Sequence, residues 1–190
     1  ITRITSPICL DLSMKDDKLL GWGWCWDDDN PILSPLLISR RNVFVKRFVD
    51  ELREAGIVVE ATLGEARKPD DAYCIASRFH SIDQILMRMM KKSDNLFAES
   101  LFYQMAAQSG HPYANHKRGS RLVSQFLGHI GISSTTYQVA DGSGLSLYNY
   151  LTPEAIGRLL RYAYNNDDIY RHLHPALPIA GEDGTLRKRM

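Results

Sequence analysis

The stretch from Ser81 to Gly110 constrains the fold most, because it encodes two helices with almost no linker between them. Ser81-Ile82-Asp83-Gln84 has the form of a capping box, which begins a helix. Apolar residues then recur at three- and four-residue spacing, and a second such series starts directly after Asn95. The chain must therefore turn at Ser93-Asp94-Asn95, where the side chain of Asp94 or Asn95 is expected to cap the second helix.

Other segments carry weaker versions of the same signals. Apolar spacing predicts a helix from Val45 to Ala55, closed by Gly56, and another across 122–130. Thr152-Pro153 is a typical helix start. Short apolar runs predict strands at 8–13, 57–59 and 137–140, so the sequence indicates an α+β chain dominated by helices.

Composition limits the classes of function. A chain of 190 residues with 44% hydrophobic content is long enough for one compact domain. Its 23 basic and 22 acidic residues leave a net charge of +1, which is not the footprint of a nucleic-acid-binding protein. No apolar run is long enough for a membrane span. The start at Ile1-Thr2-Arg3-Ile4 is neither an initiator Met nor a secretion signal, so we expect a truncated start.

Metal and redox sites are not indicated. Cys9, Cys25 and Cys74 are widely spaced with no C-x-x-C motif, and we expect three ordinary core cysteines. Their redox state and the cellular compartment stay open. His172 and His174 have no third ligand at a recognisable spacing, so neither a metal nor another cofactor is expected.

Three strings occur in a defined order in the sequence. They are Met90–Glu99, which contains Ser-Asp-Asn, then Ala140–Ser146 (Ala-Asp-Gly-Ser-Gly-Leu-Ser), and Leu177–Leu186 (Leu-Pro-Ile-Ala-Gly-Glu-Asp-Gly-Thr-Leu). Together they resemble the D-alanyl-D-alanine carboxypeptidase/endopeptidase family of low-molecular-mass class C penicillin-binding proteins, over about 45–190. Gly21–Asp27 is similar to the Gly-Trp-x-Trp region that follows the nucleophile segment in that family.

The resemblance implies part of the penicillin-binding protein/serine β-lactamase transpeptidase-like fold. The complete fold has a helical subdomain beside a mainly antiparallel sheet, and this chain is expected to hold mostly the helical subdomain plus a few strands. We expect one partial domain over 1–190, truncated at both ends. It would comprise a Trp-rich segment at 1–41 and a helical part at 42–190, without the domain inserted in some relatives.

The resemblance also implies a function and roles for two residues. The family acts on peptidoglycan stem peptides ending in D-Ala-D-Ala, in the periplasm or cell envelope, through a serine acyl-enzyme that β-lactams also form. In such a site the Ser93 hydroxyl would relay a proton to the departing D-alanine nitrogen. The Asn95 carboxamide would bind the substrate's backbone amide and help to position the lysine of Ser-x-x-Lys.

Three further residues are expected to contact substrate. Leu145 matches a loop that lines the cleft in the family, although a tight turn without any contact is the alternative. Trp24 and Asp27 resemble positions that contact the free amine of a stem-peptide side chain in some relatives. For Trp24 the alternative is a partly buried tryptophan cluster beneath a loop.

Two catalytic elements of the family do not occur in the sequence. No Ser is followed three residues later by Lys, and there is no Lys-Thr-Gly. We therefore expect the chain to be inactive and not acylated by penicillin when alone. The alternative function is a non-catalytic peptidoglycan-binding or cell-wall assembly scaffold, whereas a serine β-lactamase is disfavoured. Exposed apolar surface could also produce a homodimer. Carboxypeptidase and endopeptidase activity are not distinguished.

Overall fold

A computed structural model describes residues 1–27, 29–108 and 110–189 of the chain. Within these residues there are six α-helices and six short strands. The helices are α1 Phe44–Glu54, α2 Ile82–Lys92, α3 Asn95–Ala107, α4 His116–His129, α5 Pro153–Tyr164 and α6 Asp167–Ala176. The strands are β1 Arg3–Ile4, β2 Ile8–Leu10, β3 Val58–Val59, β4 Leu63–Glu65, β5 Tyr137–Gln138 and β6 Tyr150–Leu151.

The helix starts predicted at Ser81 and Thr152 are confirmed by their hydrogen bonds. Ser81 Oγ accepts from the Gln84 backbone N–H at 3.3 Å, and the Gln84 side chain accepts from the Ser81 N–H at 3.0 Å. Thr152 Oγ1 accepts from the Ala155 N–H at 3.2 Å and so caps α5. After α1, Gly56 has φ +80, which is the left-handed conformation that glycine adopts readily.

The strands form three separate pairs. β1 pairs with β3 and β2 with β4, both in parallel, whereas β5 and β6 are antiparallel. The three predicted strands are present but shorter than expected. Strand β4, whose residues are all exposed and show no alternation, was not predicted from the sequence. Helix α6, which begins at the side-chain cap Asn166 and runs through Pro175, was not predicted either.

The core is built around α3. One buried cluster joins α3 to the segments before α1 and α4, and a second lies between α4, β5 and α5. Val123 and Val139 pack against both clusters and connect them. The buried members are Leu33, Phe102, Tyr103, Ala106 and Ala114 in the first cluster, and Leu127, Ile132, Tyr137 and Ala155 in the second.

The expectation of core cysteines is wrong. Cys9 and Cys74 are exposed, Cys25 is half-buried, and all three are free thiols. Cys9 lies on β2 and Cys74 in the exposed segment between β4 and α2, where neither is packed by the two clusters. No helix in the described part of the chain is both long and apolar enough to cross a membrane.

Gly119 allows α4 to pack closely against α3. A Cβ atom at this position would lie 2.5 Å from the Phe102 ring, which is a steric overlap. We predict that Gly119→Ala lowers the free energy of unfolding by about 1–3 kcal/mol. Gly128→Ala on the same helix is the matched control, because a Cβ atom at Gly128 would have no neighbour within 4 Å among the described residues. It should be neutral or stabilising by up to about 1 kcal/mol. Urea unfolding of the two variants distinguishes them, and equal midpoints would contradict this packing.

Candidate active site

Ser93 and Asn95 lie at the junction between α2 and α3. Ser93 ends α2 in the left-handed conformation, with φ 51, and its side chain is exposed. Asn95 is the first residue of α3 and is half-buried. Both residues line a cavity of about 500 Å³. The other lining residues are Arg88 and Lys92 of α2, Asp94, and Asp29, Asn30, Pro31, Ile32 and Arg40 from the segment before α1.

Asp94 does not cap α3 with its side chain, contrary to expectation. Its carboxylate accepts from Arg40 Nη1 at 2.9 Å, from Arg40 Nη2 at 3.0 Å and from Arg88 Nε at 2.7 Å. The two guanidinium groups thus occupy the carboxylate, while the Asp94 backbone carbonyl accepts from the N–H groups of Phe97 and Ala98 in the first turn of α3. Burial opposes ionisation of Asp94, but the hydrogen bonds from Arg40 and Arg88 outweigh it and lower its pKa.

Arg40 reaches Asp94 from a tight turn. The backbones of Ile38 and Arg41 exchange hydrogen bonds of 3.0 and 2.9 Å, and Ser39 and Arg40 between them both have positive φ. Non-glycine residues adopt this conformation at a cost of about 1 kcal/mol each. The segment before α1 is thereby attached to the α2–α3 junction.

Glu99, one turn into α3, attaches the Ala140–Ser146 string to the same helix. Its Oε1 accepts from the backbone N–H of Gly142 at 3.0 Å and from that of Ser143 at 2.8 Å. The residue is fully buried. Gly142 approaches α3 so closely that a Cβ would lie 2.7 Å from the Ala98 carbonyl oxygen. Only glycine fits this contact without displacing the loop.

The environment of Glu99 favours its protonated form. Burial raises the pKa of Glu99 to about 7, and the negative charge of Asp141 adds to the rise. Hydrogen bonds from Ser143 and Gly142 oppose it without reversing it. The Oε2 atom has no hydrogen-bond partner within the described part of the chain. Glu99 is thus a carboxyl group that titrates near neutrality.

Asp141 organises the loop from within. Its Oδ1 accepts from the Gly144 N–H at 2.8 Å and from Asn149 Nδ2 at 2.7 Å. Its Oδ2 accepts from the Ser146 N–H and from the indole Nε1 of Trp24, both at 2.7 Å. The loop and the Trp-rich segment therefore share one buried carboxylate.

The third string packs against the end of α2. Lys91 Nζ donates to the Asp183 carboxylate, and the Asp183 Oδ1 atom also accepts from the Ile179 N–H at 2.8 Å. Gly184 lies over the Lys91 backbone, where a Cβ would be 2.9 Å from the Lys91 carbonyl oxygen. Hydrogen bonding to Lys91 lowers the pKa of Asp183. All three strings consequently meet near the α2–α3 junction.

The expected substrate contacts are not in the cavity lined by Ser93. Leu145 is half-buried in the loop, and its N–H donates to Ser143 Oγ at 3.4 Å. Trp24 packs against the first core cluster and its indole N–H is bound to Asp141, so it is partly buried beside a loop. Asp27 is exposed.

The two histidines singled out in the sequence, His172 and His174, both lie on α6. His172 Nδ1 lies 2.6 Å from Asp83 Oδ1, which links α6 to α2. Within the described residues there is no group of three or more His, Cys, Asp or Glu side chains that could hold a metal ion.

Sequence reasoning missed the residues that connect the strings. Glu99 and Asp183 lie inside the strings that carry the family resemblance. An acidic residue within such a string was the one sequence signal that could have indicated them. Arg40 and Arg88 are ordinary charged residues, and nothing in the sequence links them to Asp94. Their pairing depends on the tertiary fold.

Comparison with known proteins identifies the family. The model of the D-Ala-D-Ala carboxypeptidase 3 (S13) family matches residues 38–190. The chain belongs to this S13 family. It is similar to D-alanyl-D-alanine carboxypeptidase DacB of Haemophilus influenzae, at 35% identity over 140 residues, which cover 73% of this chain and 29% of that protein. Carboxypeptidase DacB of Mycolicibacterium smegmatis is 34% identical over 105 residues, covering 55% of this chain and 23% of that protein.

Solved structures confirm the fold of this S13 chain. Penicillin binding protein 4 (dacB) from Haemophilus influenzae matches all of the chain with a TM-score of 0.82, at 23% identity over 60% of its own length. A second structure of that protein, complexed with a novel β-lactam, matches with a TM-score of 0.69 and 32% identity. It covers 83% of this chain and 36% of the solved chain. The family and the fold predicted from the sequence are therefore confirmed.

The raised pKa of Glu99 predicts a stability that falls with pH. An acid whose pKa is higher in the folded than in the unfolded state stabilises the fold when protonated, and this contribution is lost as pH rises toward the folded value. Between about pH 5 and pH 8 the free energy of unfolding of the wild type should fall by up to about 3 kcal/mol through this group, whereas that of Glu99→Gln should not.

Denaturant unfolding of both proteins at several pH values measures this difference. Titration of His116 opposes the trend, because burial lowers its pKa, but it is common to both proteins and cancels in the comparison. Parallel stability profiles for wild type and variant would contradict the assignment.

The hydrogen bonds to Asp141 predict a large effect of one amide substitution. Asp141→Asn replaces one acceptor oxygen with a donor that faces other donors, and should lower the free energy of unfolding by about 2–4 kcal/mol. Asp27→Asn makes the same chemical change at an exposed site and should alter it by less than about 0.5 kcal/mol. Thermal unfolding with circular dichroism compares the two, and similar midpoints would argue against Asp141 as the organiser of the loop.

Proposed function

We propose that this chain contributes the Ser-Asp-Asn part of a serine-type D-Ala-D-Ala carboxypeptidase or endopeptidase site that acts on peptidoglycan stem peptides. The observation that carries the proposal is that Ser93 and Asn95 line one cavity at the junction where the three family strings converge. The chain spans about a third or less of the curated relatives it matches, so the whole protein's activity belongs to this proposal.

Ser93 is proposed to relay a proton. In an acyl-enzyme mechanism a nucleophilic serine attacks the carbonyl carbon of the D-Ala–D-Ala bond, and the departing amine must receive a proton. The exposed hydroxyl of Ser93 on the cavity wall suits this transfer. The nucleophile itself would come from a Ser-x-x-Lys element, which these 190 residues do not contain.

Asn95 is proposed to bind the substrate backbone and to help position the lysine of Ser-x-x-Lys. Its carboxamide offers one acceptor and two donor hydrogens, which match the N–H and C=O of an extended peptide. Its half-buried position at the first residue of α3 restricts the side chain's freedom, which favours a fixed contact. The salt bridges of Asp94 beside it keep this turn in place.

Leu145, Trp24 and Asp27 stay predictions as substrate contacts. The loop that carries Leu145 is attached to α3, which supports a place for it near the cleft. Trp24 is bound to the same loop through Asp141. Exposed Asp27 offers a carboxylate for an amine, provided that substrate reaches the Trp-rich segment.

The substrate class and location follow from the same proposal. The partners would be peptidoglycan peptides ending in D-Ala-D-Ala, with β-lactams as acylating analogues, and the protein would work in the periplasm or cell envelope. One partial penicillin-binding domain would span residues 1–190, of which the last, Met190, lies outside the residues that the structure describes.

Intact-mass analysis after incubation with benzylpenicillin tests the proposal. The full-length gene product should gain one penicilloyl adduct, and the 190-residue chain alone should gain none. In the full-length protein Ser93→Ala should slow acylation by about a hundredfold or more. Ser100→Ala, an exposed serine on α3, is the matched control and should react like the wild type.

Two results of this experiment would contradict the proposal or part of it. A folded full-length protein without an adduct would favour the alternative of a peptidoglycan-binding or cell-wall assembly scaffold. A normal acylation rate in the Ser93→Ala variant would exclude the proton-relay role of this residue while leaving the family activity intact.

A further inference from the structure

Glu99 is a buried acid that the proposed reaction does not use. It lies four residues after Asn95 on α3, and residues at that spacing share one face of a helix. The side chain extends from this face to the loop that carries Leu145, where Oε1 accepts from two consecutive backbone N–H groups. The Glu99 carboxyl group therefore connects the face of α3 that carries Asn95 to the 141–146 loop.

The contact leaves little room for the loop to shift. Gly142 packs against both Ala98 and Phe102 of α3. A Cβ atom at Gly142 would lie 2.7 Å from the Ala98 carbonyl oxygen and 2.6 Å from the Phe102 Cβ. On its other side Asp141 closes the loop by accepting from Gly144 and Ser146. The loop is therefore attached to α3 by the two Glu99 hydrogen bonds and by the packing of Gly142, and loss of the Glu99 bonds would weaken this attachment.

We propose that Glu99 is a positioning residue, which sets the position of the 141–146 loop relative to Asn95 through its bonds to Gly142 and Ser143. The inference deepens the proposed function and rests on it for the identity of the site. In this role the buried Glu99 carboxyl group accepts hydrogen bonds from the 141–146 loop and holds that loop against α3, the helix that carries Asn95.

The surroundings of Glu99 make this contact sensitive to pH. The titratable groups that face it are Asp141 from the loop and Tyr103 from α3, and Lys15, from the segment after β2, lies 4.8 Å from the centre of the Tyr103 ring. A loop that opens would expose Glu99 to water and favour its ionised form. Ionisation at higher pH should therefore favour loop opening by linkage.

Hydrogen exchange of the loop in the full-length protein tests the inference without relying on activity. Exchange of the peptide spanning 140–147 is measured between about pH 5 and pH 8 and corrected for intrinsic chemistry. In the wild type the protection should fall at least about tenfold over this range. In Glu99→Gln, which keeps the Oε1 acceptor but cannot ionise, it should not change with pH. Glu51→Gln, at an exposed site on α1, should behave as the wild type.

Acylation by benzylpenicillin supplies the second measurement. Glu99→Ala should lower the second-order acylation rate at least about tenfold, and Glu99→Gln should restore it, with a flatter pH profile than the wild type. Unchanged loop protection in Glu99→Ala, or a wild-type pH profile in Glu99→Gln, would overturn the inference. If Glu99→Ala fails to fold, the Glu99→Gln profiles still decide. If the wild type is not acylated at all, the proposed function fails, whereas hydrogen exchange still tests the positioning role.

Discussion

The structure depends on the buried polar contacts around the α2–α3 junction. Lys91, Asp94 and Glu99 lie at or near the helix ends, and each binds a different segment of the chain. Because the two helices follow each other without a linker, these three side chains are held close together while they reach in different directions. These polar side chains thereby fix the positions of segments that are distant in sequence.

The two motifs that pack against α2 and α3 each depend on particular residues. The loop at 141–146 needs Gly142 to approach α3, and it needs Asp141 to satisfy its own backbone donors. The string around Asp183 needs Gly184 to lie over the α2 backbone. Each motif therefore combines one glycine, which allows close approach to a helix, with one acid, which is Asp141 inside the loop and Asp183 bound to Lys91 of α2.

Local signals in the sequence were sufficient for much of the fold but not for the site. The capping box at Ser81, the Thr152-Pro153 start and the left-handed Gly56 depend on neighbours within a few residues, and all three were predicted correctly. The α6 helix was missed although Asn166 caps it, because its apolar positions are few. The family resemblance predicts Ser93 and Asn95 as site residues, whereas local patterns could not reveal Arg40 as a partner of Asp94, since it comes from a distant segment.

The most direct test of the account is a crystal structure of the full-length protein acylated by benzylpenicillin. The account predicts that the Ser93 hydroxyl and the Asn95 carboxamide lie within about 3.5 Å of polar atoms of the bound acyl group or of the residues that hold it. It also predicts that the 141–146 loop remains bonded to Glu99. An acyl group attached far from the α2–α3 junction, with neither Ser93 nor Asn95 in its surroundings, would contradict the account.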